Sequence, residues 1–392
     1  MRRLLPATLI FLALVSALLM WILQRHGDAG RSGAMDSERF DLSALLGADA
    51  RGLGDHAPAS GHAQVLGPRP MIFPRDHGPH PQYRSEWWYF TGNLAGEDGR
   101  RFGYQWVLFR LALSPDAAAR ESAWGTRQAY MAHFALTDAE TGRFHAFERF
   151  ARGGAGLAGA AADPLRVWLE DWSLREDPET GGWRLRVREE GIEIDLELAA
   201  VRPPVLQGDR GFSRKSARPG NASHYYSISR LDTHGILRAG GRSHHVTGLS
   251  WLDREWGTSA LADDQQGWDW FALQLDDGTD LMVYLLRRKD GGIDPFSAGM
   301  LMSAQGATPL AAGDVSLDIL DHWTSPDGTR YPSRWRIDVP ERNLTLDVRP
   351  LLPNQELALS VRYWEGAVAV TGRHGELEVG GHGYVELVGY GK

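Results

Sequence analysis

The chain has 392 residues, 43% of them hydrophobic and 23% charged, and a formal net charge of −8. That is an ordinary globular composition, long for one domain and comfortable for two, and its negative balance without a basic run excludes a general attraction for nucleic acid. Cys 0 excludes disulfides, thiolate nucleophiles and zinc–thiolate sites, whereas Trp 15 is an unusual load of aromatic surface.

In chain order, Arg2 and Arg3 precede an uncharged apolar run, Leu4 to Leu23. Twenty residues of helix rise ~30 Å, enough to cross a bilayer core. A cut after Val15-Ser16-Ala17 would leave LLMWIL at the new N-terminus, so residues 1–26 read as an uncleaved signal anchor, with a cleaved signal peptide as the alternative. Both readings place the remainder in the periplasm, tethered to the inner membrane or released. Residues 27–67 mix Gly, Ala, Asp, Arg and Ser around one short apolar piece (Phe40 to Leu46) and read as a flexible tether.

From Pro68 onward the signal is β. In WRLRVREEGIEIDLEL (Trp183 to Leu198) apolar residues alternate with charged ones, the period of a half-buried strand. Pairing Val187 with Ile192 sets Arg186 against Glu193 and Arg184 against Asp195. Further hairpins are expected at 128–150 through Asp138 to Gly142, at 268–286 through Asp276-Asp277-Gly278, and at 361–370 through Glu365-Gly366. No long amphipathic helix follows Leu23. EWWYFTGNL (86–94) echoes GWDWFALQL (267–275), with Trp87 over Trp268 and Trp88 over Asp269. The expected fold is all-β: two tandem antiparallel β-barrels after an N-terminal hydrophobic helix, at 68–215 and 216–392, with the break near Arg202 to Asn221.

Several chemistries are disfavoured. GLSWL (248–252) lacks the second glycine of a nucleophile elbow, His244-His245 would point to opposite faces of a strand, and no glycine-rich loop joins a strand to a helix. No metal and no cofactor are expected. What remains is carboxylates beside aromatics. WLDREW (251–256) holds Asp253 and Glu255 on one side of a strand, between Trp251 and Trp256, and GWDWF (267–271) holds Asp269 between Trp268 and Trp270. Acids sharing an apolar cavity have one pKa raised, which sets a proton donor beside an acceptor. Tyr226 and Tyr284 are candidate hydrogen-bond donors, and Glu86, Trp88 and His133 candidate contributors from the first barrel. The competing assignment is a structural ion pair of Asp253 or Asp269 with Arg254.

HPQYRSEWWYFTGNL (80–94), QAYMAHFALTD (128–138), YYSISRLDTHG (225–235), VTGLSWLDREWG (246–257), the run 267–291, YWEGAVAVTG (363–372) and GYVELVGY (383–390) resemble the AttH/CrtC family, the lipocalin-like group of carotenoid 1,2-hydratases and predicted secreted hydrolases. The resemblance covers about Pro68 to Lys392. It implies two lipocalin-like barrels, a hydrophobic isoprenoid or lipid ligand, and cofactor-free addition of water across a terminal C=C. Relatives of the secreted type are often associated with ABC-transporter permeases. Asp269 and Asp253 are then the expected proton donor and water-directing carboxylate, with Glu255 able to replace either. In one respect the chain departs from the pattern: the carotenoid hydratases carry a histidine beside the Asp and Trp, where here Leu252, Arg254 and Glu255 surround Asp253. Two other functions fit the same resemblance, a lipid-binding chaperone without chemistry and a hydrolase.

Overall fold

Alternating apolar and polar residues give a strand one buried and one exposed face, as in Trp183–Glu189, whereas strands such as Arg101–Ala112 are apolar enough to be buried on both. The computed structural model describes residues 40–41, 61–115, 122, 125–258 and 261–391. The apolar run Leu4 to Leu23 and most of the expected tether lie outside the described residues. Among the described residues, no helix is long and apolar enough to cross a membrane.

The fold is all-β, in two sheets. One sheet curls into a nearly closed barrel and the other into a half-barrel. In the first, Ser85–Gly96 pairs antiparallel with Arg101–Ala112 on one side and Arg242–Gly257 on the other, and Ala222–Ala239 follows. In the second, Gln265–Leu275 pairs with Asp280–Arg288 and with Leu377–Val388, beyond which runs Val361–His374. The two strands of the sequence echo therefore hold the same place in their sheets, each joining an opening hairpin to a closing strand.

The chain changes sheet between Gly257 and Gln265, later than the expected break. Arg202 to Asn221 reads as a boundary because it is rich in Pro, Gly and Arg. It instead carries two short strands, Val205–Leu206 and Phe212–Arg214, that pair onto Ala222–Ala239 and keep the chain on the first sheet.

Two local expectations are also corrected. Val187 pairs with Ile194, not Ile192, because Glu190 and Gly191 take positive φ (45° and 83°) and turn the chain in two residues. The slip is two residues, so the faces survive, and Asp195 bonds both Arg184 and Arg186. Val361–His374 is one continuous strand through Glu365-Gly366. Gly366 is there because a Cβ would run into the Gln355 side chain, not because the chain turns.

Three apolar clusters result. One fills the first barrel around Phe90, Trp106, Trp172 and Trp256, and a second fills the half-barrel around Phe271, Trp335 and Trp364. The third takes residues from both sheets, among them Tyr89, Tyr225, Trp270, Tyr284 and Tyr384. At this face Tyr89 donates to Glu365, Thr137 Oγ1 to Gln355 Oε1 (2.6 Å) and Gln274 Nε2 to the Ser229 carbonyl (2.6 Å).

Candidate active site

A cavity lies at this third face, between the sheets. Its free volume is about 100 Å³. Trp87, Tyr89, Phe109, Leu261, Trp268, Trp270, Tyr284 and Leu286 make it apolar; Lys215, Tyr225, Asp253, Glu255 and Glu386 are its polar groups. An apolar pocket with few, converging polar groups is the usual form of a small-molecule site.

Strand parity decides which residues reach it. On Arg242–Gly257, Asp253 and Glu255 face the cavity while Leu252 and Trp256 belong to the first-barrel core. On Ser85–Gly96, Trp87 and Tyr89 face it while Trp88 and Phe90 do not. On Gln265–Leu275, Trp268 and Trp270 face it while Phe271 fills the half-barrel.

Asp253 is buried and accepts hydrogen bonds from Ser227 Oγ (2.5 Å), Trp251 Nε1 (2.7 Å) and the Tyr225 hydroxyl. Burial nevertheless pushes its pKa up to about 7, against those three bonds and with a smaller push from Glu255. Glu255 accepts from Ser223 and pairs with Lys215 Nζ at 3.0 Å. Lys215 also sits 4.6 Å from the centroid of the Tyr284 ring. Its burial alone would lower the ammonium pKa, but Glu255 leads several groups that raise it, so this cation stays charged. Glu386 is half-buried and receives Trp268 Nε1 at 3.0 Å. Burial drives its pKa up to about 7, with Asp253 and Glu255 pushing the same way and Trp268 resisting.

The echo relates these two acids. Tyr89 pairs with Asp253 in the first sheet, and its counterpart Trp270 pairs with Glu386 in the second. The cavity therefore has a carboxyl from the equivalent rung of each sheet.

Of the residues singled out from sequence, Asp253, Glu255, Trp268, Trp270 and Tyr284 line the cavity. Trp251 stands behind it, holding Asp253 and packing edge-on against Trp270. Six others lie elsewhere. Asp269 sits on the opposite face of its strand, held by Arg287 Nε (2.9 Å) and the Tyr390 hydroxyl (2.9 Å), so it is a structural ion pair and not the cavity's proton donor. Tyr226 turns into the first barrel and meets His77 Nδ1 at 2.7 Å. Trp88 and Trp256 are core residues there, Trp256 stacked on His80 at 3.8 Å. Glu86 is fully buried between Arg110 and Arg254, and both guanidiniums hold its carboxyl well below the usual range although burial works the other way. Arg254 thus pairs with Glu86, not with Asp253 or Asp269. His133 lies deeper at the face between the sheets, its Nδ1 2.7 Å from the Tyr363 hydroxyl and its pKa lowered to about 3 by burial.

Sequence reasoning missed Glu386, Lys215, Tyr225 and Trp87. The echo held the signal for Trp87, since its identical partner Trp268 was already chosen. Parity held it for Tyr225, which pairs directly with Glu255. For Lys215 no comparable pattern existed.

An antiparallel all-β chain whose two curved sheets enclose an aromatic cavity between them is a lipocalin-like protein. The chain belongs to the AttH-like family, whose model matches residues 64–390. It is similar to an AttH protein from Nitrosomonas europaea of known crystal structure, with 34% identity over 84% of this chain and 100% of that one, at a TM-score of 0.74. It shares its fold with kievitone hydratase from Nectria haematococca, at 16% identity over 83% of this chain and 95% of that one, with a TM-score of 0.63. No curated protein matches the chain.

Proposed function

We propose that the protein is an exported, cofactor-free hydro-lyase that adds water across a C=C bond of an apolar, isoprenoid-like ligand. The observation that carries this reading is the pair Asp253 and Glu386, two carboxyls titrating near neutrality on the wall of a tryptophan-lined cavity. Hydration of an alkene needs an acid, a means of stabilising a tertiary cation, and a base to direct water.

Glu386 suits the acid. It lines the cavity and takes only the Trp268 bond among the described contacts. Its proton adds to carbon, the π electrons form the new C–H bond, and positive charge develops on the neighbouring carbon. Trp87, Trp268 and Trp270 offer ring faces that stabilise it. Asp253, which accepts three hydrogen bonds as a carboxylate would, takes the proton of the attacking water. The pair ends one proton exchanged, and solvent returns it. A hydratase of the same fold is consistent with this chemistry.

The test uses acyclic polyenes of lycopene and neurosporene type with the full chain. Wild type yields a product heavier by one water; Glu386→Gln and Asp253→Asn bind, by tryptophan quenching, without yielding it. Quenching without any mass gain from wild type selects the other reading, a non-catalytic lipid carrier working beside an ABC-transporter permease.

A further inference from the structure

A second polar cluster lies directly behind the cavity wall, and the chemistry above leaves it idle. Glu365 on Val361–His374 is fully buried and faces Glu386 across the ladder. Side chains directly opposite on neighbouring strands have Cβ atoms about 4.5–5.5 Å apart, so two glutamate carboxyls there are within reach of each other. Glu365 Oε1 accepts from the hydroxyl of Tyr89, itself a cavity residue, while Oε2 has no partner among the described residues. Further in, the Tyr363 hydroxyl meets His133 Nδ1 at 2.7 Å and receives Gln105 Nε2 at 3.4 Å. His133 Nε2 and Gln105 Oε1 are likewise buried without partners.

Orphaned buried polar atoms are costly and rare enough to ask for a reason. Among the described residues, an ionised glutamate here would have no cation facing it. The groups that face Glu365 are Tyr89 from Ser85–Gly96, Tyr363 on its own strand, and Glu386 and Tyr384 from Leu377–Val388. Beyond them stands His133, neutral because burial lowers its pKa. The charged Lys215 is bound to Glu255 instead.

We propose that Glu365 is a positioning residue that stores a proton for Glu386, the two forming one carboxyl pair of which Glu386 is the cavity member. The inference rests on the hydro-lyase reading for its purpose, but not for its test. When Glu386 gives its proton to carbon, the pair passes from neutral to a single negative charge. The O–H bond on Glu365 Oε2 can then break as one forms on Glu386, with no change in the charge of the pair. The acid is thereby restored inside the wall before solvent resupplies the pair. Glu365 is held in its neutral form by burial first, and then by the neighbouring Glu386 charge, against the Tyr89 and Tyr363 hydroxyls.

The test needs no substrate. Infrared spectra of the full chain are followed through neutral to alkaline pH, in the region of the carboxylic-acid C=O stretch. Wild type is expected to show a protonated carboxyl that persists above neutrality and is lost in Glu365→Gln, an isosteric change that keeps the acceptor for Tyr89. In Glu386→Gln, which leaves Glu365 untouched, the band remains and its midpoint falls by about one pH unit or more, because a like charge has been removed. Absence of the band from wild type, its survival in Glu365→Gln, or an unmoved midpoint in Glu386→Gln each overturns the proposal. Failure of the polyene to gain water would leave these spectra unchanged and bear only on the hydration reading.

Discussion

Asp253 and Asp269 show how little a carboxylate's sequence neighbours reveal of its task. Each lies between aromatic residues, each is buried, and burial raises the pKa of each. What separates them is the facing partner. Asp269 meets a guanidinium and a phenol, and the cavity never sees it. Asp269→Asn should therefore leave turnover of a bound polyene within a few-fold of wild type while costing about 1–3 kcal/mol of stability, read as a lower urea midpoint, because Arg287 loses its partner. Glu386→Gln should do the reverse, lowering the turnover rate about 10²–10⁴-fold with little change in ligand quenching. Glu386 was not legible because nothing in GYVELVGY marks it: a lone acid in an apolar strand looks the same on a wet face and in a cavity. Glu365 was misread for a different reason. Next to a glycine it resembled a turn, when the glycine answers the close approach of Gln355.

On the scale of a strand, the sequence was most informative where it alternates. The period-two rule predicted the hairpin at 183–198 and gave the right faces even with the ladder two residues off, while the hairpins at 128–150 and 268–286 were marked by their turn residues. It does not say which face of a doubly apolar strand turns to a core and which to a ligand. EWWYF is the clearest case, since both of its faces are buried or nearly so. Its two tryptophans make a direct experiment. Trp88→Ala opens the first-barrel core and should cost about 3–5 kcal/mol. Trp87→Ala removes cavity wall and should weaken polyene quenching at smaller cost to the urea midpoint. If the two variants behave alike, the assignment of faces is wrong. The family motifs divide the same way: Trp87, Asp253 and Glu255 build the site, while Glu86, Trp88 and Arg254 lock the barrel, with Arg254 lying 3.9 Å from the Trp88 ring centroid.

In the whole molecule, the raised acids tie stability and activity to the same pH window. Asp253 rises from 3.8 and Glu386 from 4.5, each to about 7, so between about pH 4 and pH 7 the folded chain holds protons that the unfolded chain has released. Their contribution to stability is complete below the unfolded values and is lost as pH rises through 7, at about 1.4 kcal/mol for each unit of elevation. Glu86 and Asp76, whose pKa values are lowered, act only at more acidic pH. The urea midpoint should consequently fall between about pH 6.5 and about pH 8, above the range in which His77, His133 and His224, lowered by burial to about 4, 3 and 4, act in the opposite sense, and fall less in Glu386→Gln. Activity should peak near pH 7, since Glu386 must hold a proton and Asp253 must have lost one. Two sheets, repeated in order and joined face to face, supply one such acid each; the echo of nine residues was the visible trace of that arrangement. Its consequence, a site made between the sheets, depended on the pairings of Tyr89 with Asp253 and of Trp270 with Glu386, 253 − 89 = 164 and 386 − 270 = 116 residues apart, which no local pattern encodes. The most direct measurement is turnover of an acyclic polyene in deuterium oxide, with the product examined by mass spectrometry. Hydration by Glu386 and Asp253 predicts one added oxygen together with one deuterium fixed on carbon. Added oxygen without carbon-bound deuterium, or an unchanged polyene that still quenches the cavity tryptophans, would contradict it.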